Sequence, residues 1–292
     1  MRLITFALVL AFVLSGCDSY DSGRHGPSTE APALVNWTSH RGSDRYGQWA
    51  DLAVGGVVVH MRYIPPGSYT MGSPAGDSPW RSEEETQHPV TIGAGFWLAD
   101  TETTQELWTA VMGNNPSQFK GPQLPVDSVS WDSAQRFINT LNARVAGLAV
   151  RLPSEAEWEY ACRAGTVGPF AVEDGGKDKS RTPHPATDLG WFLANAGGQS
   201  HAVRSKQPNA WGLFDMHGNV QEWCQDVFSH YTSRGSEAAV KGAGERVSRG
   251  GSWRLSDAAA RSAARRNVAG DHSDNDQGLR LAVSAPPPGQ QK

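Results

Sequence analysis

The chain has 292 residues, with 26 Lys and Arg against 30 Asp and Glu and a formal net charge of −4. That length suffices for one large core, and the lack of a basic excess argues against a nucleic-acid partner. Gly 32 and Trp 11, beside Tyr 6, point to a loop-rich fold with little helix. Its turns would use positive φ, and its irregular layers would be filled by large rings.

The chain opens on a targeting segment. Arg2 precedes an apolar run from Leu3 to Leu14, too short to span a bilayer comfortably, and Ser15-Gly16-Cys17 follows. The pattern resembles a bacterial lipoprotein signal with its lipobox. The resemblance implies removal of residues 1–16 and acylation of Cys17, so that the membrane is engaged through an N-terminal lipid. Asp18 is similar to an inner-membrane retention signal. The expected location is therefore the cell envelope, facing the periplasm or the outside, with the inner membrane favoured. Residues 17–34 are polar, rich in Gly, Pro and Ser, and read as a flexible tether. Residues 285–292, ending PPPGQQK, read as a disordered tail. Residues 35–284 between them contain no second linker and no repeat, and read as one domain.

Within that domain, Trp49–Ile64 is two β-rich runs around Gly55-Gly56, the pattern of a hairpin. IPPGSYTMGS at 64–73 predicts a strand punctuated by Pro and Gly, and Phe96–Asp100 predicts another. Thr101–Met112 has helical spacing of Leu107, Trp108 and Val111, with Thr103 or Thr104 as N-cap and Gly113 as stop. Ser130–Leu141 repeats the logic, with Ala134, Phe137, Ile138 and Leu141 on one face. Ser154 and Glu157 form a capping box for a short helix that reaches Cys162. After Gly165 the chain reads as loops and short strands, so the fold class is α+β. Cys162 and Cys224 could pair in an oxidising compartment; the expectation is two unpaired thiols.

Asp215, Asn219 and Glu222 place three oxygen-bearing side chains within eight residues of a turn that contains Gly218. Such spacing can wrap a hard cation, and it also suits a solvated turn with a helix cap. His217 has no companion at zinc spacing. Glu83, Glu84, Glu85 and His88 read as a solvated acid run rather than a general base.

A set of motifs then follows in order. MGS stands at 71–73, QHPV at 87–90, PVDSVSW at 125–131 and RLPSEAEWEYACRAGT at 151–166. NAWGLFDMHGNVQEW at 209–223, RVSRGGSW at 246–253 and GLRLA at 278–282 complete it. The series resembles the sulfatase-modifying-factor family, whose founding activity is formylglycine generation on a variant of the C-type lectin fold. The resemblance spans about Trp49 to Ala282 and implies that fold. It also implies a structural Ca²⁺ held by Asp215 and Glu222 side chains and by Gly218 and Val220 carbonyls. The family's two copper-binding cysteines fall at Leu255 and Ala260, which cannot coordinate copper(I). No copper is expected, and formylglycine generation by that mechanism is not expected either. A related iron-dependent branch uses a histidine cluster, but His201, His217 and His272 are too scattered to form one.

The same fold serves variable proteins of diversity-generating retroelements, which end in a similar GGSW frame with exposed insertions. Here the frame would be Gly250, Gly251, Ser252, Trp253, Arg261, Ser262, Arg265 and Gly278–Leu281. The resemblance implies a ligand-binding face of Trp253, Arg254, Leu255, Ser256, Asp257, Ala264, Arg266, Asn267, His272, Asp274, Asn275 and Asp276. The expected role is a non-catalytic scaffold for a protein, peptide or small molecule. The alternative is a periplasmic oxidoreductase that acts on a peptide or small molecule without the cysteine pair.

Overall fold

A computed structural model describes residues 37–76, 81–171, 185–231 and 242–285. Residues 1–16, Cys17 and the rest of the expected tether lie outside them, as do residues 286–292.

Gly55 and Gly56, with φ of 58° and 86°, turn strand β2 (Gly47–Val54) back into β3 (Val57–Ile64), as the sequence predicts. Strand β1 (His40–Asp44) pairs with β2 at the exposed edge. A separate two-stranded ribbon pairs β4 (Gly67–Met71) with β5 (His88–Ile92), and β6 (Phe96–Ala99) returns beside β3. The expected helix forms as α1 (Gln105–Met112), with Thr104 as N-cap, one of the two the sequence offers, and Gly113 closing it at φ 76°. Just ahead of that cap, the Thr103 amide donates to the Leu279 carbonyl, while its own carbonyl accepts from the Val126 amide.

Helix α2 (Trp131–Arg144) is capped by Ser130 and buries Ala134, Phe137, Ile138 and Leu141. After β7 (Val150–Arg151) comes α3 (Glu155–Arg163), whose Ser154–Glu157 capping box is formed on both sides. All of α3 but Glu157 is buried, an unusual state for a helix with three acids. The C-terminal part adds β8 (Gln221–Val227), β9 (Arg246–Arg249), β10 (Arg265–Val268), β11 (Gln277–Leu279) and β12 (Ala282–Ser284).

The strands form a six-stranded sheet in the order β1-β2-β3-β6-β12-β7 and a four-stranded sheet β10-β9-β8-β11, with β11 parallel to β8. Helices α1 and α2 cover the larger sheet over a core that includes Leu52, Met61, Trp97, Trp108, Phe137 and Trp223. A second core packs Ile64, Phe96, Trp158, Met216 and Val247 around α3. Ala285, the first residue of the expected tail, is buried and its amide donates to the Gly95 carbonyl, so it packs with the domain. Cys162 and Cys224 are both buried and unpaired. Among the described residues no helix is long and apolar enough to cross a membrane.

Candidate functional site

The arginines of the C-terminal motifs build the frame. Arg249, at the end of β9, lies 3.1 Å from Glu155 and bonds Glu159, both on α3, and its Nη1 donates to the Ser262 and Ala264 carbonyls. Arg265 grips Glu155 through Nε and Nη2 at 2.9 and 2.7 Å. Arg280 spans Glu222 and also donates to the Ala99 and Phe214 carbonyls. Arg261 makes a two-pronged pair with Glu85, 2.8 Å at each prong. Glu85 is thus buried, which corrects the expectation of a wholly solvated acid run at 83–85. Burial alone would raise its pKa, but the Arg261 and Ser73 hydrogen bonds outweigh that and hold it below the usual range.

Gly250 and Gly251, at φ 92° and 69°, turn the chain from β9 onto the surface. A Cβ on Gly251 would lie 2.8 Å from the Ala260 Cβ and 2.9 Å from the Ala259 carbonyl oxygen, so the turn packs directly on residues 257–260. Beyond it stands a small rim. The half-buried Trp253 sets its ring edge-on to Phe119 and donates Nε1 to the Asn275 carbonyl. The exposed Arg254 donates Nη1 to Asp274 Oδ1 and Asn275 Oδ1, each at 2.9 Å. Asn275 in turn donates to Gln118. The Leu255 carbonyl accepts from the amide of Leu193, which is 64% exposed. Trp191 stands close by, stacked on His201 at 3.7 Å with Lys206 Nζ 3.9 Å from its ring.

Of the expected ligand-binding face, Trp253, Arg254, Leu255, Asp274 and Asn275 come together, with Ser256 and Asp257 following on the short 3₁₀ turn. Arg266 is exposed on β10 and reaches Gln221 Oε1, while Asn267 bonds Glu245 and His272 stands exposed on the turn after Ala269. Two residues do not belong on that face. Ala264 is buried, its carbonyl taken by Arg249. Asp276 is 1% exposed, because its carboxylate turns inward to accept from Ser252 Oγ and Gln221 Nε2. Sequence reasoning missed Gln118, Phe119, Trp191, Leu193 and Lys206. They come from two distant loops without periodicity, and only the loss of regular pattern after Gly113 and Gly165 marks them.

The positions that the resemblance assigns to copper-binding cysteines hold a half-buried Leu255 and a fully buried Ala260 packed near Phe192. The Ala260 carbonyl accepts from His217 Nδ1 at 2.7 Å, and His217 Nε2 accepts from the Ala171 amide. Both ring nitrogens are thereby used, and burial pushes the His217 pKa down to about 4, so the ring is neutral. Cys162 Sγ lies 3.7 Å from that nitrogen and 3.6 Å from Ser262 Oγ. Burial pushes its thiol up to about 12, which leaves a protonated, inaccessible sulfur rather than a nucleophile.

The expected calcium residues can be tested against their surroundings. The side chain of Asp215 is buried; Oδ2 accepts from the Arg204 amide, while Oδ1 has no hydrogen-bond partner. Glu222 is fully buried, and its oxygens already accept from Arg280 and from Trp158 Nε1. Glu102 also lies here, accepting from Asn219 Nδ2 and the Val220 amide. Arg204 spans Asp100 and Arg280 spans Glu222, so Glu102 and Asp215 have no guanidinium of their own. Burial first, then the neighbouring carboxylates, push Glu102 well above the usual range; burial likewise pushes Asp215 up to about 6. The charge deficit and the orphaned Asp215 oxygen suit a cation, whereas Glu222 is committed to Arg280. Of the two expected side-chain donors, Asp215 therefore keeps a free oxygen and Glu222 does not, and the described residues hold no group of three metal-ligating side chains.

A six-stranded antiparallel sheet, a four-stranded mixed sheet, a two-stranded ribbon, three helices and long connecting loops that carry a surface rim define a C-type-lectin-like domain among the described residues. The profile of the sulfatase-modifying factor enzyme 1-like domain matches residues 55–285, and the chain belongs to that family. It is 33% identical to the formylglycine-generating enzyme of Streptomyces coelicolor over 271 residues, covering 87% of this chain and 74% of that protein. It is 28% identical to the chaperone protein LppX of Paenibacillus barcinonensis, covering 56% and 71%. Among solved structures, Treponema denticola variable protein 1 superposes with a TM-score of 0.70 at 29% identity, covering 80% of this chain and 98% of that one. PvdO from Pseudomonas aeruginosa superposes with a TM-score of 0.68 at 26% identity, covering 85% and 98%.

Proposed function

We propose that this protein acts by binding, as a non-catalytic scaffold of the sulfatase-modifying-factor family that is lipid-anchored in the cell envelope through Cys17. Its ligand, a protein, peptide or small molecule, meets the rim of Trp253, Arg254, Asp274 and Asn275. The observation that carries this reading is the contrast at one turn. The exposed Arg254 pairs with the half-buried Asp274 beside Gly250-Gly251, while the two positions that would hold copper carry Leu255 and Ala260. Recognition groups on loops borne by a rigid frame are the usual arrangement of a binding surface. Similarity to proteins named as a variable protein and as a chaperone fits a binding role, while similarity to formylglycine-generating enzymes keeps an oxidoreductase as the alternative. Asp215 is the side-chain donor of a structural calcium ion in the same reading.

Metal analysis combined with oxygen uptake tests the proposal. The purified domain is supplied with copper(I) or iron(II) and a cysteine-containing peptide. The expected result is no stoichiometric copper or iron and no oxygen consumption above the free metal. Tight copper or iron with turnover would replace the scaffold by a periplasmic oxidoreductase. Selection of a displayed peptide library on the domain then reads binding, and Arg254→Ala and Asp274→Ala are expected to abolish enrichment.

A further inference from the structure

A second pair of carboxylates, away from the 215–222 turn, is buried with one oxygen of each left over. Asp127, in the loop between α1 and α2, is fully buried. Its Oδ1 accepts from the Gln118 amide at 2.8 Å and from Ser128 Oγ at 2.7 Å, whereas Oδ2 has no hydrogen-bond partner. Asp276, just ahead of β11, is 1% exposed. Its Oδ2 accepts from Ser252 Oγ and Gln221 Nε2, whereas Oδ1 has no partner. The two are neighbours: after burial, the larger effect, the Asp276 charge also disfavours ionisation of Asp127.

The segments that carry them are stitched together. The Ser128 amide donates to the Asp274 carbonyl, and Asn275 Nδ2 donates to Gln118 Oε1 at 2.6 Å. Compensating charge is thin. Lys120 acts on Asp127 through space while its Nζ donates to the Asn115 carbonyl, and Arg254 Nε stays 3.8 Å from Asp276 while its Nη1 serves Asp274 and Asn275. An unsatisfied buried acceptor costs about 1–3 kcal/mol, and more when it is charged. Two orphaned acidic oxygens on adjoining segments therefore call for a shared partner. A water molecule would supply hydrogen bonds but no charge; a hard divalent ion supplies both charge and a preference for oxygen. The hydroxyls of Ser117, Ser128 and Ser252 are close by as further oxygen donors.

We propose that Asp127 and Asp276 hold a hard divalent cation, calcium or magnesium, which pins the 114–128 loop to the 270–276 turn at the foot of the Trp253–Arg254 rim. This site is separate from the one at Asp215 and does not depend on what the rim binds. With only two carboxylates, the site belongs to the weak class of extracellular modules, at about 10⁻⁴–10⁻³ M.

The domain, stripped with a chelator, is titrated with calcium and magnesium chloride by calorimetry. Wild type and Asp215→Asn are expected to share a saturable event in that range, weakened more than tenfold in Asp127→Asn and in Asp276→Asn. Both amides keep an oxygen for the present donors, and near-UV circular dichroism checks that the variants fold. Hydrogen exchange on the wild type is a second readout: added calcium is expected to slow exchange at 114–128 and 270–277. Binding that persists in both variants, or unchanged exchange at those segments under saturating ion, would overturn the proposal.

Discussion

Arginines of one short stretch behave in opposite ways. Arg249, Arg261, Arg265 and Arg280 have side chains at most 4% exposed, each paired with a carboxylate from a distant segment. Arg254, five residues after Arg249, has a side chain 41% exposed and shares its charge with Asp274 at the surface. The first group lies in low dielectric, where an ion pair is held tightly and a lone charge is costly. Arg254 lies in water, where the same pair contributes little to stability and is free to exchange partners. The frame and the rim are thus built from one residue type, and burial alone divides them.

Removing the frame should show the largest effect. Arg280→Ala leaves Glu222 buried without its cation, and Arg249→Ala takes one of two arginines from both Glu155 and Glu159 and strips the Ser262 and Ala264 carbonyls of their donor. Each is expected to lose about 3–5 kcal/mol in urea unfolding, enough to threaten folding outright. If either costs under about 1 kcal/mol, the division between frame and rim fails.

A smaller effect should come from His217, which ties the frame to the 257–260 turn. Its folded pKa, about 4, lies below the ordinary value of 6.5. Between those values the unfolded chain binds a proton that the native state refuses, so stability rises with pH there and falls on acidification from about pH 6.5 to 4. The loss should approach about 3 kcal/mol, from about 1.4 kcal/mol per pKa unit, and His217→Gln should flatten that part of the profile. An unchanged slope in the variant would place the acid sensitivity elsewhere.

The smallest effect on stability belongs to the rim. Arg254→Ala should change unfolding free energy by no more than about 0.5 kcal/mol, while it removes ligand enrichment. A large loss of stability there would mean that Arg254 is part of the frame after all.

Legibility in the sequence followed distance along the chain. The Gly55-Gly56 hairpin, the Ser130 cap and the Ser154–Glu157 box were readable because each depends on residues within about four positions. The rim was readable in part, since the resemblance places Trp253 and Arg254 just beyond the Gly250-Gly251 turn, where the structure leaves Trp253 half-buried and Arg254 exposed. Ala264 and Asp276 were placed wrongly on that surface, because nothing near them in sequence announces that Arg249 and Ser252 draw them inward. Glu85 was misread for the same reason, its partner Arg261 being 176 residues away.

The sequence by itself determined the family, the local caps and turns, and the absence of thiols at positions 255 and 260. These are properties of residue identity and short-range geometry. Only the tertiary structure decided which charges are buried and paired, which carboxylate oxygens are left without partners, and which loops meet beside Trp253. Those outcomes depend on the dielectric and on contacts between segments as much as 190 residues apart, as with Gly95 and Ala285, and a linear pattern does not encode either.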